Sequence, residues 1–174
     1  MKISTRTIVI VGMFTAVLSV LSILTIPMPS GVPITLQTFA MAICGFVLGG
    51  RKGMAATAIY ILLGTAGLPV FAGMMGGPSR LLGYTGGFIW GFLFLVGCCG
   101  FSMKIKGTLS RALIAMAGLL LCHLAGVVQF AVVAEIDLPA AFVTVSLPYL
   151  IKDIISLAGA YAVAVPVKKA LAAC

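Results

Sequence analysis

Long apolar runs, separated by short polar or glycine-rich connections, make up almost the whole chain. Their approximate bounds are 7–26, 34–50, 53–70, 85–103, 112–134 and 142–166. The runs are continuous and show no alternation of apolar and polar positions, which favours helices over the strands of a membrane barrel. A membrane-spanning helix needs about 20 mostly apolar residues. The pattern therefore predicts an all-α integral membrane protein with six transmembrane helices, built as a single membrane domain over residues 1–174.

The composition agrees with this class of protein. Of the 174 residues, 62% are hydrophobic and 8% are charged, and the mean hydropathy is +1.27. The net charge of +8 comes from basic residues scattered between the apolar runs. That arrangement is typical of topology signals, so no nucleic-acid partner is expected.

The basic residues also predict the orientation of the chain in the bilayer. Nine of them fall on one side when the connections are assigned to alternating sides: Lys2, Arg6, Arg51, Lys52, Lys104, Lys106, Arg111, Lys168 and Lys169. The connections on the other side, 27–33, 71–84 and 135–141, carry only Arg80. Because positive charge marks the cytoplasmic side, both termini are predicted to be cytoplasmic.

Two charged residues lie inside the last apolar run, in the segment TVSLPYLIKDIIS. A charge at such depth costs about 2.5–3.5 kcal/mol on insertion scales, so it usually faces the protein interior and has a partner. Lys152 is rotated by about 100° from Asp153 around a helix, so the two are not expected to pair simply with each other. Pro148 is expected to kink this helix or to free a backbone carbonyl. The functional interpretation places both charges in a solute site, and the alternatives are an interhelical salt bridge for Asp153 and snorkelling for Lys152.

A glycine-rich stretch, GLPVFAGMMGGPSRLLGYTGG, joins the third and fourth runs at 67–87. Its glycines allow tight turns and close approach to a ligand, which suits a lid. The Arg80 guanidinium suits a carboxylate, although a lone loop arginine can also simply be exposed. Thr85 and Gly86 begin the next helix, where backbone N–H groups favour oxygen-rich solutes. On the same side, Gln37 opens the second helix.

The chain lacks the residues that an enzyme of a familiar class would need. It contains no H-E-x-x-H or G-x-S-x-G motif, and GFVLGGRKG lacks the Lys-Ser/Thr pair of a nucleotide-binding loop. With only three carboxylates and one histidine, no catalytic residue, metal site or cofactor is expected. His123 is expected to have a hydrogen-bonded packing role. The chain therefore looks like a solute-binding protein without its own energy source.

A small-residue pair on the first helix suggests where a partner binds. Gly12 and Ala16 are spaced by four residues, which allows close helix contact in lipid. The alternatives are packing within the chain itself and chance, because such spacings are common. A partner would supply the energy, whereas a self-sufficient secondary carrier or channel for another small organic solute would need none.

Four motifs resemble those of the BioY family in order and spacing. They are VPITLQTFAM at 32–41, GLPVFAGMMGG at 67–77, GYTGGFIWGF at 83–92 and LPYLIKD at 147–153. The resemblance covers nearly the entire chain. It implies a biotin-binding S component of an energy-coupling factor transporter, located in the plasma membrane of a prokaryote. Its implied partners are a transmembrane coupling protein, contacted by Gly12 and Ala16, and two cytoplasmic ATPases.

The resemblance also implies which side chains would contact biotin, which enters as substrate rather than cofactor. The biotin carboxylate would suit Arg80 or Lys152, the ureido N–H groups would suit Asp153, and the apolar parts would suit Phe71, Tyr84 and Tyr149. The sequence departs from the family pattern at two positions. Tyr84 replaces a common proline, and Ser156 stands where the family often has lysine, so the role of Lys152 stays open.

Overall fold

The structure is a computed structural model and describes residues 4–173. Its elements are α1 (Thr5–Ile23), β1 (Thr25–Ile26), β2 (Ile34–Thr35), α2 (Gln37–Thr65), α3 (Ser79–Leu82), α4 (Gly86–Ser102), α5 (Thr108–Ala134), α6 (Leu138–Val145) and α7 (Leu147–Ala173). The predicted all-helical class is confirmed. By length and composition, α1, α2, α5 and α7 qualify as membrane spans, and α4 is a shorter apolar helix.

Helix α2 reverses direction at Gly49. This residue has φ 76° and ψ 168°, outside the helical region and in a region that favours glycine. The stretches on either side fold back on each other: Gln37 Nε2 donates to the Tyr60 hydroxyl at 2.9 Å, and Cys44 Sγ lies 3.8 Å from the Gly53 carbonyl oxygen. The stretches 37–48 and 50–65 therefore run antiparallel.

The core is formed where α4 packs between α2 and α5. Small residues bring the backbones close together, since a Cβ added at Gly91 would lie 2.8 Å from the Cα of Cys122. Large side chains such as Phe46, Met41 and Leu95 fill the remaining space and are almost completely buried. In lipid, this close packing holds helices together where the hydrophobic effect between them is weak.

Connections of different character lie at the two ends of the bundle. At what we call the loop-rich end, the connections 24–36, 66–85 and 135–146 meet, because Gly31 adjoins Tyr84 and Gln129 bonds to Leu81. At the opposite end, which we call the basic end, Arg6 donates to the Leu171 carbonyl oxygen at 2.9 Å. The α2 turn and the connection 103–107 lie there too. Eight of the nine basic residues predicted to share one side lie at the basic end. The ninth, Lys2, lies outside the described residues.

The last predicted span differs from the structure in one respect. Its first residues, 142–145, belong to the short helix α6, and the helix is interrupted at Ser146 before α7 begins. Pro148 is the second residue of α7, where its missing N–H costs no helical hydrogen bond. Pro148 therefore does not kink α7 but helps to start it, and the interruption of the predicted span lies two residues before it.

Candidate functional site

A cavity opens at the loop-rich end and extends down to Asp153 on α7 and Leu119 on α5. Counted out to its mouth, with the open solvent there included, it measures about 790 Å³. Its walls come from the connection 24–36, the start of α2, the connection 66–85 and the helices α4, α5, α6 and α7. The larger part of the lining is apolar, and the polar groups lie on α2, α5 and α7 and in the two connections.

The first wall is held in place by a two-residue ladder and a tyrosine. Strands β1 and β2 pair antiparallel, with Thr25 opposite Thr35. Tyr149 of α7 is buried, its hydroxyl donates to the Val32 carbonyl oxygen, and it lies 2.8 Å from Ser30 Oγ. The proline-containing connection 27–33 is thus tied to the start of α7, which fixes one side of the cavity mouth.

The second wall is built on Phe71 and α3. The Phe71 ring is buried against Gly64 and lies edge-on to Tyr60, with ring centroids 5.5 Å apart. Arg80 lies in α3 and lines the cavity. Helix α3 is anchored from below by Gln129 of α5, whose Nε2 donates to the Leu81 and Gly83 carbonyl oxygens at 2.7 and 2.9 Å. Arg80 therefore lies in a segment whose position is fixed by these two hydrogen bonds.

At the inner end of the cavity, Asp153 is held between two other side chains. It is buried, with 6% relative exposure, and its Oδ2 lies 3.2 Å from His123 Nε2 of α5. The other ring nitrogen, Nδ1, lies 2.9 Å from Ser146 Oγ. A neutral imidazole with its proton on Nε2 satisfies both contacts, since the ring then donates to the carboxylate and accepts from the serine hydroxyl.

The second oxygen of Asp153 contacts Lys152 and keeps capacity for one further donor. Oδ1 lies beside the Lys152 ammonium, yet within the described residues it receives no hydrogen bond of good geometry. Lys152 Nζ also donates to the Thr35 carbonyl oxygen at 3.1 Å, so it reaches from α7 to β2 across the cavity. A buried acceptor with spare capacity at the wall of a cavity is suited to a solute that brings N–H donors.

The expectation that Lys152 and Asp153 do not pair with each other is wrong. The lysine stem is long enough to turn its ammonium back over the neighbouring carboxylate, although the two residues leave the helix about 100° apart. The pair neutralises the carboxylate within the chain, which lowers the cost of placing it at depth.

The cavity brings together seven of the nine predicted substrate-contacting residues: Gln37, Phe71, Arg80, Thr85, Tyr149, Lys152 and Asp153. The other two, Tyr84 and Gly86, do not line it. Tyr84 is half exposed and packs on Phe130 with ring centroids 5.4 Å apart. At Gly86, any added Cβ would collide with the Leu81 carbonyl, so this glycine serves close packing under α3. The contacts of all nine with substrate stay predictions.

Sequence reasoning missed the position of His123. It is hydrogen-bonded, as expected, but it lines the cavity and contacts the candidate carboxylate. The signal was available, because the chain has one histidine and one deep carboxylate, and intramembrane ionisable residues tend to pair. The aromatic residues Phe88 and Phe92 of α4, which also line the cavity, looked like ordinary core residues in the sequence.

Gly12 and Ala16 lie far from the cavity, on the exposed side of α1. Nothing approaches within 4 Å of a Cβ added at Gly12, and both residues are exposed. The alternative explanation, packing within the chain, therefore fails for Gly12. Contact with a partner stays a prediction.

Comparisons with known proteins agree with one another. The family model described as BioY family matches residues 1–173. The "Biotin transporter BioY" of Thermotoga maritima is 34% identical over 165 residues, 94% of this chain and 96% of that protein. The "Probable biotin transporter BioY" of Pyrococcus horikoshii is 37% identical over 133 residues, 76% of this chain and 78% of the relative.

A solved structure shares the fold. It is described as the S-component for biotin from an ECF-type ABC transporter, and the two superpose with a TM-score of 0.86. The match covers 97% of this chain and 95% of the solved one at 23% sequence identity. The fold of the present chain is therefore one already seen in a membrane transport subunit.

Proposed function

Since the chain belongs to the BioY family, we propose that it captures biotin and acts as the substrate-binding subunit of an ECF-type, ATP-driven transporter. The observation that carries the proposal is the full-length similarity to relatives named as biotin transporters. The same similarity favours this function over a self-sufficient carrier or channel.

The cavity supports biotin because its groups complement the three chemical parts of that molecule. Oδ1 of Asp153, which contacts the Lys152 ammonium but receives no hydrogen bond of good geometry, accepts a ureido N–H, while His123 keeps Oδ2 occupied. The aromatic side chains of Phe71, Phe88 and Phe92 surround the thioether ring and alkyl chain. The carboxylate of biotin pairs with Arg80 at the loop-rich end or with Lys152 once it leaves Asp153.

The proposed topology has six spans, with both termini in the cytoplasm. The spans are α1, the two stretches of α2, α4, α5 and α7, and the loop-rich end with the cavity faces outward. The concentration of basic residues at the other end supports this orientation. A cysteine placed beside Arg80 should react with an impermeant reagent in intact cells, and one beside Lys106 should not. The reverse labelling pattern would overturn outward-facing capture.

Energy is proposed to come from separate subunits in the plasma membrane of a prokaryote. A transmembrane coupling protein and two cytoplasmic ATPases hydrolyse the ATP, and the present chain performs no catalysis. The exposed Gly12 and Ala16 on α1 offer the coupling protein a surface that its helix can approach closely. Leucine at either position should lower transport without weakening biotin binding by the isolated chain.

The decisive experiment uses the purified chain without partners. Calorimetric titration should show one biotin bound per chain, and biotin methyl ester should bind more weakly because it has lost the carboxylate charge. Reconstituted alone in vesicles with ion gradients, the chain should not accumulate biotin. Absence of binding would remove the proposed substrate, and concentrative uptake by the chain alone would instead establish a self-sufficient carrier.

A further inference from the structure

A second cavity lies between α5 and α7, on the half of the bundle nearer the basic end. It is a crevice of about 620 Å³ counted to its mouth, lined by Phe46 of α2 together with residues of α5 and α7. The two long helices make few contacts with each other, so a gap remains between them near the basic end. The side chains of Phe46 and Tyr161, packed edge to face, close the inner side of this gap. The walls are almost entirely apolar. We call this space the α5–α7 crevice.

One end of the crevice carries a cation that the chain does not neutralise. Arg111 is half-buried there, with Nε donating to the Ile105 carbonyl oxygen at 2.9 Å and a terminal nitrogen donating to the Tyr161 hydroxyl at 3.3 Å. Both acceptors are uncharged. Within residues 4–173, no carboxylate lies within 4 Å of this guanidinium. Three of its five N–H groups are left free to bind another acceptor.

The chain has no carboxylate to spare for this arginine. Its three acidic residues are Glu135 and Asp137, in the connection after α5 at the loop-rich end, and Asp153, which is occupied by His123 and Lys152. A half-buried cation at the edge of the hydrocarbon region is stabilised by an anionic partner. Within residues 4–173 no carboxylate is placed to serve Arg111, so an anion from outside these residues can do so.

From these observations we propose that the α5–α7 crevice binds one anionic phospholipid, with an acyl chain between the helices and the phosphate on Arg111. The guanidinium fork matches two phosphate oxygens, and the Tyr161 hydroxyl fixes its orientation. Lys104 and Lys106, exposed in the adjoining connection, add positive charge at the same level. A free phosphate ion would leave the apolar crevice unfilled, and a zwitterionic lipid already carries its own counter-charge.

Native mass spectrometry of the full chain tests the site by counting retained lipids. Phosphatidylglycerol and phosphatidylcholine with identical acyl chains are compared in the same detergent. The wild-type chain should retain one phosphatidylglycerol in preference to phosphatidylcholine, and Arg111→Met should lower that preference about tenfold or more, because it removes a charge-assisted guanidinium–phosphate hydrogen bond. Lys106→Met removes the same charge outside the crevice and should change the preference less than twofold.

The crevice itself is tested with substitutions that leave every charge in place. Ala158 and Ala112 line it and are exposed, so Ala158→Phe or Ala112→Phe should fill it without disturbing the core. Leu113→Phe places the same phenylalanine on the lipid-facing side of α5, outside the crevice, and is the control. Both alanine variants should lose the retained lipid while keeping the wild-type melting temperature, and the leucine variant should keep it.

Three results would overturn the proposal. Equal losses in Arg111→Met and Lys106→Met would mean that only the overall charge attracts anionic lipid. Unchanged retention in both alanine variants would mean that the lipid lies elsewhere. Displacement of the lipid by millimolar inorganic phosphate would mean that the site holds an ion and not a lipid. None of these outcomes depends on biotin, so the experiments test the lipid site independently of the proposed function.

Discussion

The cavity at the loop-rich end and the α5–α7 crevice handle charge in opposite ways. At the inner end of the cavity, the Asp153 carboxylate is matched by the Lys152 ammonium and by a hydrogen bond from His123, so these deep charges are balanced before any solute arrives. In the crevice, Arg111 contacts only neutral acceptors. Both sites share α7, with Asp153 lining one and Ile154 lining the other.

This difference indicates which kind of ligand each site favours. A solute entering the cavity has to compete with internal partners, which favours a ligand that offers several matched contacts at once. A ligand of the crevice meets a cation without a carboxylate partner and an apolar groove. Any anionic amphiphile of suitable width therefore gains both an electrostatic and a hydrophobic contribution to binding. The first arrangement favours specificity, and the second favours a chemical class.

The largest effect is expected from removing the cavity carboxylate. Asp153→Asn keeps the volume but replaces an acceptor oxygen with a donor that opposes a ureido N–H. Losing a charge-assisted hydrogen bond and leaving a donor unpaired should cost about 2–4 kcal/mol, or roughly 30- to 1,000-fold in biotin affinity by titration. Asp137→Asn is the matched control, because that residue is exposed and does not line the cavity, and it should bind as wild type.

Melting the Asp153→Asn protein without ligand separates a binding role from a structural one. If the carboxylate only pairs with Lys152, the variant should lose thermal stability and bind in proportion to its folded fraction. A stable variant that binds within about threefold of wild type would remove Asp153 from the site.

The next effect concerns the histidine that holds the carboxylate. His123→Leu removes the donor to Oδ2 and should lower biotin affinity about tenfold, because Asp153 is then free to turn away from the solute. His123→Gln places an amide N–H near the former Nε2 and should restore binding to within about threefold. Equal losses in both variants would show that the ring acts by packing alone.

Much of the fold followed from the apolar pattern, because spans are long and their composition is extreme. The predicted run 85–103 agrees closely with α4, Gly86–Ser102. The sequence did not reveal the β1–β2 ladder, since two-residue strands leave no periodicity, or the separation of α6 from α7. It also did not reveal that Lys152 turns back over Asp153, because a flexible side chain is placed by its tertiary neighbours and not by helical spacing.

The candidate site was predictable where a residue type was rare and not where it was common. Asp153 and Arg80 stood out because charges are scarce in this chain. Gly86 could not be assigned in this way, since glycines are numerous and a packing role depends on what lies beside each one. Here the neighbour is the Leu81 carbonyl, which belongs to a helix of only four residues.

Packing under α3 provides a smaller effect, on stability rather than on affinity. Gly86→Ala forces a methyl group against the Leu81 carbonyl and the Gln129 side chain, and overpacking of this kind costs about 1–3 kcal/mol. The melting temperature should fall, while the folded fraction binds biotin normally. Gly12→Ala adds the same methyl in open space and should melt as wild type. A loss of affinity in folded Gly86→Ala would return Gly86 to the binding site.

The smallest effect is expected at the brace of α3. Gln129→Leu removes the donor to the Leu81 and Gly83 carbonyl oxygens and should loosen the segment that carries Arg80. We expect biotin affinity to fall no more than about threefold, because the arginine keeps its charge and its reach. Val128→Leu, on the exposed side of the same helix, should have no effect. A larger loss would show that Arg80 needs a fixed position.

The turn at Gly49 has a consequence for how the chain enters the bilayer during synthesis. A single residue reverses the backbone, and Arg51 and Lys52 follow almost at once. In the proposed topology, the two stretches of α2 are therefore expected to enter the bilayer together, as one hairpin. The adjacent positive pair would then keep the tip of that hairpin on the cytoplasmic side. Lengthening the turn at Gly49 would remove this constraint on the order of insertion.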